Sequence, residues 1–209
     1  KLRETAHAVL DDAQNVWHEV LPKYGSQYQD TRLVLFRNYV QSGCGTAESA
    51  MGPFYCPLDQ KVYIDLGFYD ELRRRFGADG DFAQAYVITH EIGHHVQNVL
   101  GTASRVRELQ ERRPNQANDL SVRMELQADC YAGVWGASLK QRGQLDPGDV
   151  EEGLNAASAI GDDRIQQQSG RGVHPESFTH GSSAQRVTWF RRGMESGDPR
   201  NCDTFAGSI

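Results

Sequence analysis

The chain has 209 residues, enough for one well-buried core, and no Pro/Ser-rich or charge-rich linker divides it, so residues 1–209 read as a single domain. A formal net charge of -6, with no run of Lys/Arg interleaved with aromatics, argues against nucleic acid as a partner. No stretch approaches the roughly 20 apolar residues of a membrane span, so membrane contact is expected only through a segment absent from this chain.

Taken in order, residues 1–22 carry a helical apolar pattern ended by Pro22. The start on Lys1, already inside the helix-like KLRETAHAVLDDAQNVWHEVL, points to a signal peptide or anchor that preceded it. RLVLF (32–36) and KVYIDL (61–66) are rich in β-branched and aromatic residues and predict strands. Helices follow at 67–76, ended by Gly77, and at 80–100, ended by Gly101. A further pair at 117–142 and 147–162 is separated by RGQLDPGD, QQQSGRGVHPESFTHGSS reads as a long loop, and SAQRVTWFRRGM as a last helix. The fold class is therefore α+β, mostly helical, with a small sheet formed by early strands.

Four cysteines admit three disulfide pairings, or four free thiols in a reducing compartment. Cys44 and Cys56 bracket the Gly/Pro-containing GTAESAMGPFY, where a bridge would pin a connection with little core of its own; Cys130 and Cys202 would then fasten the C-terminal tail to a helix. Two disulfides imply an oxidising, extracytoplasmic location, periplasmic or secreted. No CxxC or CxxxC pattern offers cysteine ligands to zinc.

VITHEIGHHVQNVLG (87–101) carries the chemistry. With His90 at zero on a helical wheel, His94 falls at about 40 degrees and Glu91 at about 100, while the apolar residues cluster between about 160 and 280. His90-Glu91-Ile92-Gly93-His94 thus fits HExxH: two neutral imidazoles one turn apart, with an intervening glutamate placed to take a proton from water. His95, at about 140 degrees, is turned away and reads as a packed or hydrogen-bonded histidine. The metzincin extension fails, because Gln97 and Leu100 occupy its Gly and third His positions.

The pentapeptide alone leaves a solvated polar face open as an alternative, so a third ligand must decide. SVRMELQADCYAGVWG supplies one. Glu125 and Asp129, one turn apart, share a helix face with Ala128, Ala132 and Gly136, small residues that permit close approach of another helix. Glu125 could reach a metal, and Asp129 could accept the outer ring N–H of a histidine ligand. His180, in FTHGSSAQR, occupies a loop opening a helix, where an imidazole could lean into a cleft. The adjacent carboxylates of IGDDR (Asp162, Asp163) read as solvated or paired to Arg in preference to a cation site.

HEIGHH, ELQAD and THGSSAQR in this order resemble the gluzincin side of the zincin metallopeptidases. Over nearly its whole length, through GCG, GPFYCP, VYIDLGFYDEL, ELQADCYAGVW, IGDDRIQ, ESFTHGSSAQRVTWF and CDTF, the chain resembles the bacterial neutral zinc metallopeptidase family. A more distant similarity is to membrane-associated CAAX-prenyl-protease-like peptidases. These resemblances imply a zincin-like fold, with the HExxH helix packed against a second ligand-bearing helix, and one Zn2+ per chain held by His90, His94 and Glu125. They also imply Asp129 as the carboxylate behind a ligand, His180 as donor to an oxyanion, and Arg186 as the arginine that follows it. Gly181 departs from the latter pattern, standing where those proteins often have Pro.

The expected function is zinc-dependent hydrolysis of a peptide or protein substrate, with Glu91 as general base and KVYIDL as either a peptide-binding edge strand or a buried one. The alternative is a non-catalytic or latent zinc-stabilised extracytoplasmic protein. Zinc hydrolysis of a non-peptide substrate is a further reading. A di-iron bundle using ETAH (Glu4 to His7) and EIGH suits 21 glycines and scattered strands poorly.

Overall fold

A computed structural model describes residues 2–48, 52–76, 80–170 and 172–209. Chain order begins with helix α1 (Leu2–Val20), continued past Pro22 by a short 3-10 turn. Among the described residues five short strands follow: β1 (Arg32–Phe36), β2 (Tyr39–Ser42), β3 (Gly45–Glu48), β4 (Phe54–Cys56) and β5 (Lys61–Asp65). The rest is helical: α2 (Phe68–Phe76), α3 (Asp81–Val99), α4 (Thr102–Arg112), α5 (Ala117–Gln141), α6 (Asp149–Ala159), α7 (Asp162–Gln168) and α8 (Ser183–Ser196). Gly77, expected to end α2, lies outside the described residues.

β5 lies in the middle of a three-stranded sheet, parallel to β1 and antiparallel to β4. KVYIDL is therefore not an edge strand; that position falls to Phe54–Cys56, inside the segment expected to be a loop. Val62 and Ile64 point into the main core while Tyr63, on the opposite pleat, stacks on Phe54 at 4.8 Å. β2 and β3 form a separate antiparallel hairpin. Its turn is joined to β4 by the Cys44–Cys56 disulfide, so the bridged connection contains strands of its own.

α3 was expected to be two-faced. It is instead buried nearly all round, because its polar face is covered by other helices. α5 packs on α3 along one side and most extensively on α8 along another. Both approaches need glycine. A Cβ on Gly93 would stand 2.9 Å from the Ala128 carbonyl oxygen, and one on Gly193 would stand 2.0 Å from that of Cys130. The expected small-residue face divides accordingly: Ala128 meets α3, whereas Gly136 meets Met194 of α8. Cys130–Cys202 ties α5 to the C-terminal segment, and Arg142 and Trp135 both bond Asp12 to anchor α1.

Candidate metal centre

The same oxygen of Glu125, on α5, lies 3.0 Å from His90 Nε2 and 2.6 Å from His94 Nε2, on α3. The outer ring nitrogens face oxygen acceptors: His90 Nδ1 is 2.8 Å from Asp129 Oδ1, and His94 Nδ1 is 2.8 Å from Gln97 Oε1. Each Nδ1 therefore donates outward, which leaves both Nε2 lone pairs aimed at a carboxylate. Three electron-rich atoms in that arrangement require positive charge between them, either protons or a metal ion.

Without a metal, burial would lower the His90 pKa, but Asp129 and Glu125 overcome it and raise the ring to about 10. Burial acts oppositely on Glu125, yet His94 and His90 hold its carboxyl well below the usual range. Two imidazoles and one carboxylate are a donor set that Zn2+ takes with a further position open. Among the described residues, His90, His94 and Glu125 form the one group of three or more His, Cys, Asp or Glu able to hold a metal ion.

Asp129 is fully buried and fully used. It accepts from His90, from the Tyr86 hydroxyl, and from Arg186 through Nε at 2.8 Å and a terminal nitrogen at 3.1 Å. Burial opposes its ionisation, but Arg186 and His90 keep the carboxyl below its ordinary pKa. Arg186, itself buried, bonds Asp129 and the Ile160 carbonyl, and so lies directly behind the His90 imidazole.

Behind His94 runs a second chain of bonds. Gln97 Nε2 donates to the Met124 carbonyl and to Gln127 Oε1, and Gln127 Nε2 donates to the Cys202 carbonyl. Sequence reading missed Tyr86 and Gln97 as parts of the centre. Their signal was present, since both fall within about 40 degrees of His90 on the helical wheel.

His95 points elsewhere, with its Nδ1 2.7 Å from the Tyr55 hydroxyl and its Nε2 2.6 Å from the Gln29 carbonyl oxygen. The carbonyl requires Nε2 to donate, so Tyr55 donates to Nδ1 and fixes β4 against α3. His7 is exposed on α1 and is not among the clustered ligands, and the side chain of Glu4 lies outside the described ones.

The centre forms the floor of a cleft of about 460 Å³, bounded by Phe54 and Tyr55 of β4, a face of α4, Met124 of α5 and the His180 loop. Glu91 lines it and is 7 % exposed. Burial raises the Glu91 carboxyl above its usual range, and nearby Glu125 adds to this while His90 and His94 oppose it.

His180 is half-exposed, its Nε2 3.5 Å from Glu125 and its Nδ1 3.4 Å from Asp162. Asp162 also accepts the backbone N–H groups of Thr179, His180 and Gly181 at 2.9, 2.7 and 3.0 Å. Asp163 accepts from the Ser183 N–H and hydroxyl. Among the described residues the carboxylates of IGDDR have no Arg partner; in place of the expected solvated or Arg-paired groups, they clamp the loop that carries His180. Gly181 takes φ +98°, a conformation closed to proline, which accounts for the departure at that position.

The fold is mixed, mostly helical with a small sheet, and it brings a His/His/Glu cluster able to hold a metal ion together on facing helices. Residues 1–205 match the model of the family described as "Putative neutral zinc metallopeptidase", and the chain belongs to that family. It is 57 % identical over 202 residues to the Escherichia coli "Uncharacterized protein YpfJ", covering 96 % of this chain and 70 % of that one. It is 45 % identical over 204 residues to the Mycobacterium tuberculosis "Uncharacterized protein Rv2575", covering 92 % and 67 %. No solved structure matches. The two cysteine pairs at bonding distance fit an oxidising environment, and no helix among the described residues is long and apolar enough to cross a membrane.

Proposed function

We propose that this protein is a zinc-dependent peptidase of an extracytoplasmic compartment, acting on peptide or protein substrates. The observation that carries the reading is Glu91: a buried carboxylate beside the His90/His94/Glu125 cluster and open to the cleft, the position a general base needs. Bound by those three side chains, Zn2+ would supply Lewis-acid polarisation of a carbonyl and acidify water.

The chain's own groups do the rest. Glu91 takes a proton from water and delivers it to the leaving amine. Asp162 chiefly, and Glu125 further, raise the His180 pKa against the effect of burial, which favours the imidazolium whose Nε2–H would donate to the developing oxyanion. Asp129 and Gln97 hold the two ligand imidazoles in the tautomer whose Nε2 faces inward. β4 pairs with β5 on one side and borders the cleft, so its other edge is where an extended peptide would add as a strand.

The test is Glu91→Gln. Wild type should cleave members of a mixed peptide library and contain about one zinc per chain; the variant should keep its zinc and lose cleavage by about a thousandfold or more. No cleavage by zinc-loaded wild type, with chelation merely lowering thermal stability, would replace this reading with a zinc-stabilised binding protein.

A further inference from the structure

The α4 wall of the cleft has a charge that the chemistry above does not use. Ala103, Val106, Arg107 and Gln110 recur at helical spacing and line the cleft together. Val106 is buried and seats the helix, while Arg107 is exposed at its side. Among the described residues lining the cleft, Arg107 is the one Lys or Arg.

Its neighbours on α4 are engaged: Arg105 donates to Thr102, and Arg112 pairs with Glu108. Arg107 has no hydrogen-bond or ion-pair partner among the described residues, although Glu111 stands one turn further on. When Zn2+ is held, its two positive charges balance Glu91 and Glu125, so the Arg107 charge remains uncompensated in the cleft. In a molecule of net charge -6, that is a local reversal of sign facing the substrate path.

We propose that Arg107 is a specificity-determining residue that pairs with a carboxylate of the peptide near the scissile bond. The inference rests on the peptidase reading and adds the substrate class: peptides bearing an acidic side chain or a free C-terminal carboxylate within the reach of α4. A guanidinium suits either source, because its planar fork meets a carboxylate through two parallel N–H bonds.

The experiment compares zinc-loaded wild type with Arg107→Gln and Arg107→Glu on a peptide set in which Asp/Glu are exchanged for Asn/Gln, each member made with a free and an amidated C-terminus. Binding of the same peptides to zinc-loaded Glu91→Gln is measured alongside. Wild type should favour carboxylate-bearing members by about three- to tenfold in kcat/KM, and by a similar factor in binding. The preference should fall as added salt shortens the screening length. Arg107→Gln should reduce the preference to less than about twofold, and Arg107→Glu should turn it towards Lys-bearing peptides.

Selectivity that persists in amidated peptides assigns the carboxylate to a side chain; selectivity that vanishes on amidation assigns it to the C-terminus. Cleavage with no carboxylate preference, or with a preference unchanged in Arg107→Gln, overturns this inference and leaves the peptidase reading intact. Absence of both cleavage and peptide binding overturns the two together.

Discussion

One carboxylate oxygen of Asp162 holds three successive backbone N–H groups of the loop that carries His180, and the other oxygen faces the ring. In Asp162→Asn the amide keeps only part of this clamp, and an N–H replaces one of the oxygens that orient the loop and ring. The expected result is a fall in kcat of about tenfold or more with zinc content unchanged, since small misplacements of a donor are costly. Because Asp162 acts through His180, adding His180→Ala to Asp162→Asn should cost less than the product of the two single effects. Fully multiplicative losses would show that the carboxylate serves something other than His180. This partnership spans 18 residues and is not written in either local sequence, which is why the carboxylates of IGDDR read as solvated or Arg-paired groups at the end of a helix. His90, His94, Glu125 and Asp129 were legible because each pair lies one turn apart on a single helix, where spacing alone fixes the shared face.

Helices α3 and α5 hold the centre together by approaching where Gly93 faces Ala128, and α5 meets α8 more closely still at Gly193. The two contacts should respond differently to alanine. Gly193→Ala places a Cβ against a backbone carbonyl that cannot yield, and should destabilise the protein by about 3 kcal/mol or more in chemical denaturation. Gly93→Ala requires a shift of a few tenths of an ångström between the ligand-bearing helices. Its stability cost should be smaller, while zinc affinity, measured against a competing chelator, falls by about tenfold or more. Equal zinc affinity in Gly93→Ala and wild type would show that α3 and α5 can separate without moving the ligands. Long helices such as these were readable from apolar periodicity. α4 was not, because TASRVRELQER offers only Val106 and Leu109 as large apolar residues; β3 and β4, four and three residues long, are too short to show alternation.

At the scale of the molecule, the two disulfides close loops of different length and stand in different relations to the centre. The chain-entropy model gives about 3 kcal/mol for Cys44–Cys56 and about 4 kcal/mol for Cys130–Cys202, from separations of 12 and 72 residues. Their pairing was expected from the chain pattern, whereas the order β1-β5-β4 depends on contacts between distant segments and was not. Cys44–Cys56 braces the hairpin and the edge strand. Cys130–Cys202 sits behind the metal centre: Cys130 follows Asp129, and the Cys202 carbonyl holds Gln127, which holds Gln97, which holds His94. Replacing either pair by serines should lower thermal stability. Only Cys130→Ser with Cys202→Ser should also weaken zinc binding, by about tenfold, when affinities are compared at a temperature where both variants remain folded. Gln127→Ala should reproduce part of that loss with both bridges intact, since it breaks the relay at its middle. If the two disulfide variants bind zinc equally well, the relay orients nothing, and Cys130–Cys202 is a fastener of the C-terminal segment alone.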